Sequence, residues 1–155
     1  MVGMLIEPSE LLVAAVAPGM EDLYPDWTRI TVPESPNYRF LEGDEIPYRI
    51  LMYGEVGRDG IQGRVARFRH LALQIRATGR IDPIEVCRRP DGRLLIVNGN
   101  HRAAIALHLG RRCPIVFLPG GELLRRIDTC ARNNADYRAW VAPMRRRIAG
   151  VSWST

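Results

Sequence analysis

Leu94-Leu95-Ile96-Val97-Asn98-Gly99-Asn100-His101-Arg102, continuing into Ala103-Ala104-Ile105-Ala106-Leu107-His108-Leu109-Gly110, decides how the rest of the chain is read. The run 94–97 is short, continuous and apolar, as in a buried strand, and 103–109 reads as a helix closed by Gly110. Residues 98–102 therefore occupy a strand-to-helix turn. The first backbone N–H groups of a helix lack partners within it and lie at the positive end of its dipole, so an anion binds there with little rearrangement. Gly99 lets a ligand approach the backbone closely, and Arg102 offers a planar fork for phosphate oxygens. Position and chemistry together make 98–102 a candidate phosphate site.

Upstream, residues 64–78 set Val65, Phe68, Ala72 and Ile75 at helical spacing and stop at Gly79. Pro83-Ile84-Glu85-Val86-Cys87 alternates as a strand, and Arg89-Pro90-Asp91-Gly92 is a hairpin turn. Residues 113–118 give one more strand. The order is helix, Gly, Pro-Ile-x-Val strand, Asp-Gly turn, strand, Gly-x-His-Arg, helix, Leu-Gly, strand. Over about 55 residues, 64–118, this order resembles the ParB/sulfiredoxin superfamily. The resemblance implies a small α/β (α+β) mixed-sheet domain followed by C-terminal helices. In that family the Gly-x-x-Arg turn holds nucleotide phosphates, which implies the same for Gly99, Asn100, His101 and Arg102, with Asn98 beside them.

Three branches of that superfamily differ at the turn. Sulfiredoxins carry a catalytic cysteine in Gly-Cys-His-Arg; Asn100 stands there in this chain, and an amide is neither a nucleophile nor a thiolate source, which argues against sulfinic acid reduction. ParB partition proteins carry Gly-Glu-Arg-Arg, hydrolyse CTP and continue into a helix-turn-helix domain. His101 departs from that turn, and little chain follows residue 118. The free-serine kinases carry Asp-Gly-His-His-Arg, to which Asn98-Gly99-Asn100-His101-Arg102 is similar in form, with Asn98 replacing Asp and Asn100 replacing His. If the family's aspartate holds magnesium, Asn98 offers a carbonyl oxygen without charge.

The chain of 155 residues, 46% hydrophobic, is long enough for one substantial core. The expected organisation is a single folded unit: an irregular segment 1–63 that forms a possible substrate wall, a nucleotide-binding core 64–118 and C-terminal helices 119–155. No stretch of about 18 apolar residues is present, and the start lacks the basic residues of a secretory signal, so the expectation is a cytoplasmic protein without a membrane partner. Cys87, Cys113 and Cys130 are odd in number and widely spaced, and read as buried reduced thiols rather than a disulfide or metal site. With His70, His101 and His108 the only histidines, a structural zinc is not expected.

All 22 basic residues are arginine. A P-loop lysine and a Schiff-base lysine are thereby excluded, and any positive charge on a phosphate must come from arginine, histidine, a metal or the backbone. Residues 1–57 hold ten acids against three arginines, and 58–155 hold nineteen arginines against seven acids. Arg125-Arg126 and Arg145-Arg146-Arg147, on predicted helices, raise nucleic acid as a partner. Solvated helix faces, pairing with the acidic half and helix C-capping are preferred, because aromatic residues for base stacking are not interleaved with these arginines.

Residues 18–63 contain Pro18, Pro25, Pro33, Pro36 and Pro47 and five glycines from 43 to 63, which predicts that long regular elements are absent. The same segment carries Tyr24, Trp27, Tyr38, Phe40, Tyr48 and Tyr53, either as a wall of a substrate pocket or as anchors of a long connection. Within it lies Tyr53-Gly54-Glu55-Val56-Gly57-Arg58-Asp59. Kinases of the superfamily use an upstream glutamate as general base, and the resemblance implies that its counterpart is Glu55, or else Asp59. The alternative for Glu55 is a surface carboxylate paired with Arg58 or Arg64. Tyr53, Arg58 and Arg64 are the candidate substrate-side residues, the arginines for a phosphate tail or a substrate acid. His101 is a candidate for a phosphate oxygen or for a capping role at the helix start.

Residues 10–17 and 121–150 are expected to pack as helices on the core, or to form a dimer face. Leu123, Leu124, Ile127 and Cys130 suit one amphipathic helix, and Tyr137, Trp140, Val141, Met144 and Ile148 another, interrupted near Pro143. The functional expectation is a nucleotide-binding phosphotransferase that uses ATP or ADP, or CTP, with Mg²⁺ near Asn98, and moves a phosphoryl group to a small metabolite's hydroxyl. The alternative is a nucleotide-gated DNA- or protein-binding module with little or no catalysis.

Overall fold

The computed structural model describes residues 3–13, 29–89 and 91–119, with 122, 125 and 142 described singly as helical. Cys130, Tyr24, Trp27, residues 14–17 of the 10–17 stretch, Arg126, Arg145 to Arg147 and nearly all of both C-terminal helices lie outside the described residues. The fold is α/β. Among the described residues six strands, β1 (Met4–Ile6), β2 (Leu11–Val13), β3 (Ile30–Thr31), β4 (Ile84–Arg88), β5 (Leu94–Asn98) and β6 (Cys113–Phe117), form one mixed sheet in the order β1-β6-β4-β5-β2-β3. The β4–β5 hairpin is antiparallel across the Asp91-Gly92 turn, whereas β2 runs parallel to β5 and β6 parallel to β4. Leu11–Val13, expected in a helix, is instead a wholly buried strand beside β5. Three consecutive branched or bulky apolar residues shielded on both faces suit a strand as well as they suit a helix, and no sequence period separates the two over so short a run.

Among the described residues three α-helices accompany the sheet: α1 (Pro36–Leu41), α2 (Ile46–Thr78) and α3 (Asn100–His108). The largest departure from expectation is α2, which begins at Ile46, not at residue 64, so the segment before the core is not irregular throughout. Pro47 sits in the first turn, where the missing N–H removes no helical bond. Tyr48, Leu51, Met52, Val65, Phe68 and Ile75 are buried along the helix, and that burial outweighs the weak propensity of glycines 54, 60 and 63. Gly57 has φ 74° and ψ 175°, a conformation foreign to a helix, and splits α2 into two arms at a kink. The helix stops at Gly79, as its sequence predicts, and the Gly79 N–H donates to the Ile75 carbonyl at 2.8 Å.

Phe40, Tyr48 and Phe68 meet with ring centroids 4.9 to 5.2 Å apart and join α1 to both arms of α2. Of the aromatic residues in the pre-core segment, Phe40 and Tyr48 thus anchor the chain to the core, while Tyr53 is exposed. The two charge halves of the sequence also meet: Arg69 pairs with Glu45 at 2.6 Å, and Arg112 with Glu7 at 2.7 Å. Cys87 and Cys113 are buried free thiols, and burial pushes each up to about 11. They are inert as nucleophiles at neutral pH.

Candidate functional site

The strand-to-helix turn is built as its sequence predicts. β5 ends at Asn98, Gly99 turns with φ 118°, and α3 begins at Asn100. A side chain at position 99 would be strained at that φ, and its Cβ would stand 3.1 Å from Arg102 Nη2 and 3.2 Å from Ile84, so the turn admits only glycine without displacement. No side chain caps α3. The first helical bond is Ala103 N–H to the Gly99 carbonyl at 2.9 Å, which leaves the N–H groups of Asn100, His101 and Arg102 without partners among the described residues.

The second arm of α2 faces this turn. Arg64, Arg67, Phe68 and Leu71, spaced i, i+3, i+4, i+7 on one helix face, enclose with Asn98, Gly99, His101 and Arg102 a cleft of about 210 Å³. Three of these eight lining residues are arginines and none is acidic. The field in the cleft is therefore positive from two sources, guanidinium charge and the helix dipole.

Arg102 does not hang free. Its Nη1 donates to the Pro83 carbonyl at 2.6 Å, tying the first turn of α3 to the residue before β4. His101 is fixed more firmly still. Its Nε2 lies 2.9 Å from the Tyr48 hydroxyl, and its ring stands edge-on to Phe68 at 4.7 Å and to Tyr48 at 5.6 Å. Burial first, then the Arg64 and Arg102 charges, push its pKa down to about 4, so the imidazole is neutral at pH 7. Burial and then the negative charge of Glu55 raise the Tyr48 phenol well above its ordinary value.

Comparison of the chain with family models, with curated proteins and with solved structures gives no match. The cleft therefore stands on its own geometry. It brings together Asn98, Gly99, His101, Arg102 and Arg64 from the sequence-derived set. Asn100 opens α3 but does not line the cleft; its Oδ1 is buried without a hydrogen-bond partner among the described residues. Glu55 is exposed on the first arm of α2, close enough to act electrostatically on Tyr48. Tyr53, Arg58 and Asp59 are exposed and do not line the cleft.

Arg67, Phe68 and Leu71 are additions to the sequence-derived site, for which the i, i+3, i+4, i+7 set starting at Arg64 is the available signal. Tyr48 belongs to the aromatic set read as pocket wall or anchor, but its pairing with His101, 53 positions away, has no sequence signal. Glu85 is a further addition. It is half-buried and directly across the β4–β5 ladder from Asn98, which makes it the carboxylate that the register brings to the turn.

Magnesium fits this donor set only in part. Among the described residues no three His, Cys, Asp or Glu side chains converge, and the turn itself offers the uncharged Asn98 carboxamide. The described residues do not build a cation cage, so a magnesium ion at this turn would be held chiefly by phosphate oxygens and water.

Proposed function

We propose that the cleft binds the phosphate tail of a nucleoside di- or triphosphate, with ATP and ADP ahead of CTP, and that the protein transfers a phosphoryl group from it to a small metabolite's hydroxyl. One observation carries this reading: Arg64, Arg67 and Arg102 line a cleft at the uncapped N-terminus of α3, with no acid among its described lining residues. Small-molecule pockets usually run from roughly 300 to 1,000 Å³. A cleft of about 210 Å³ suits the phosphates, with the nucleoside lying outside it. The resemblance to the ParB/sulfiredoxin superfamily, through its free-serine kinase branch, supports the same assignment.

Phosphoryl transfer asks the protein mainly for positioning and charge neutralisation, with a proton acceptor at the attacking oxygen. The arginines and the bare N–H groups would neutralise the non-bridging phosphate oxygens. Glu55 is the proposed acceptor of the hydroxyl proton, supported by its action on Tyr48, which in turn meets His101 beside the cleft. Asp59 is the second choice, beyond the Gly57 kink. Magnesium, brought by the nucleotide, would add charge neutralisation on the phosphates.

A second reading is favoured by the same absence of acids from the lining: a nucleotide-gated module that binds DNA or a protein needs no base there. Calorimetric titration with ATP, ADP and CTP, with and without Mg²⁺, followed by phosphorus NMR with hydroxyl-bearing acceptors, separates the two. Binding with transfer supports the phosphotransferase, and binding without turnover supports the module. No binding of any of the three nucleotides rejects both.

A further inference from the structure

We infer that Tyr48 is a positioning residue of this cleft: its hydroxyl donates to Nε2 of His101 and fixes the imidazole as the Nδ1–H tautomer, leaving Nδ1–H as a neutral donor for a di- or triphosphate oxygen. The ligand part of this inference rests on the reading of the cleft as an anion site. The tautomer part does not.

Tyr48 is wholly buried, and among the described residues its hydroxyl has one partner, His101 Nε2 at 2.9 Å. A buried O–H must donate to something, and the imidazole lone pair is the acceptor within reach. The opposite arrangement, Nε2–H donating to the phenol oxygen, would strand the phenol hydrogen in the core. Once Nε2 carries the lone pair, the proton of the neutral ring sits on Nδ1, because the bond made by one nitrogen sets the state of the other. Nδ1 has no partner among the described residues, and His101 lines the cleft.

The surroundings hold this state in place. Phe68 and Tyr48 grip the ring edge-on, so its plane is fixed as well as its tautomer. Arg64 and Arg102, together with burial, oppose a second proton on the ring, and burial with Glu55 keeps the phenol protonated and hence a donor. His101 thus offers direction without adding a fourth positive charge. That suits an oxygen whose charge the arginines already meet.

The test is the long-range proton–nitrogen correlation spectrum of the imidazoles in the ¹⁵N-labelled full chain at pH 7, with His101→Gln used to assign the signal against His70 and His108. The expected spectrum of the free protein has Nδ1 protonated and Nε2 unprotonated at His101. A protonated Nε2 there overturns the inference without any variant being made. Tyr48→Phe keeps the aromatic packing and removes the donor; it should shift His101 to Nε2–H and weaken inorganic pyrophosphate, titrated by calorimetry, by about tenfold. Unchanged pyrophosphate affinity in that variant overturns the positioning role. If the wild-type chain binds no pyrophosphate, the anion site and the role of His101 in it fall together, while the spectrum still reports on the Tyr48–His101 bond by itself.

Discussion

Arg102 Nη1 donates to the carbonyl of Pro83 across 2.6 Å, which makes the arginine assigned to phosphate also the latch between α3 and the start of β4. Removing it has two effects that must be read separately. A hydrogen bond from a charged donor contributes about 1.5–3 kcal/mol, toward the low end here because Arg102 is partly exposed. Arg102→Ala should lower stability by about 1.5 kcal/mol in urea unfolding and abolish nucleotide binding in calorimetry. Arg102→Lys retains the charge but not the fork, and should bind nucleotide about tenfold more weakly. Wild-type affinity in both variants would remove Arg102 from the site.

His101 makes stability depend on pH in a defined window. Its folded pKa, about 4, lies below the ordinary 6.5, so between these values the unfolded chain binds a proton that the folded chain does not. Stability is full above about pH 6.5 and falls as pH drops toward 4, by up to about 3 kcal/mol. Glu34, Glu42 and Glu45 are likewise shifted down, from 4.5, and add to acid destabilisation only lower in the range. The urea midpoint should therefore decline between pH 6.5 and 5 in the wild type and much less in His101→Gln. Equal slopes for the two proteins would mean that the ring is not held neutral.

The kink in α2 separates two kinds of glycine. Gly57 has positive φ and open space around its missing Cβ, so Gly57→Ala meets no atom but carries backbone strain of about 1 kcal/mol or more. Relief of that strain would straighten the helix and move Arg64 and Arg67 relative to Tyr48. Gly63 has the same open space without positive φ, and Gly63→Ala should stabilise the helix by about 0.5–1 kcal/mol. Thermal unfolding checks the pair: opposite signs are expected, and a stabilised Gly57→Ala would argue against the kink.

These glycines also mark where sequence reasoning stopped. Residues 84–88, 94–98, 100–108 and 113–117 were legible because each couples a short apolar pattern to a turn or cap signal next to it. The first arm of α2 was not, since Pro47 and glycines 54, 57, 60 and 63 carry strong local breaker signals, and the buried face formed by Tyr48, Leu51 and Met52 that overrides them exists only once Phe40 and Phe68 are packed against it. The same division holds for the site. Asn98, Gly99, His101 and Arg102 are adjacent in sequence and declare a turn, whereas Tyr48 reaches His101 and Glu85 reaches Asn98 through tertiary packing and strand register.

Glu55 and Asp59 lie on opposite sides of Gly57, and substitution can tell them apart. Glu55→Gln is expected to leave nucleotide affinity within about twofold, because the residue does not line the cleft, and to reduce phosphoryl transfer by about 10²-fold or more through loss of the proton acceptor. Asp59→Asn should leave both unchanged. Turnover followed by phosphorus NMR checks this, and full activity in Glu55→Gln with loss in Asp59→Asn would exchange their roles.

Arg67 provides the cleanest measure of the field in the cleft. It is exposed on α2, lines the cleft and makes no hydrogen bond among the described residues, unlike Arg102. Its contribution to folding should be within about 0.5 kcal/mol, typical of an exposed residue away from special features. A phosphate ligand, in contrast, would feel the loss of one of three guanidiniums. Arg67→Ala should weaken ATP by about five- to tenfold at low salt, and by less at 0.5 M salt, where screening shortens the reach of exposed charge to a few ångströms. The unfolding midpoint should not move. An affinity loss that did not shrink with salt would mean that Arg67 acts by shape or by holding the helix, and the cleft would then owe its affinity to the α3 N-terminus and Arg102.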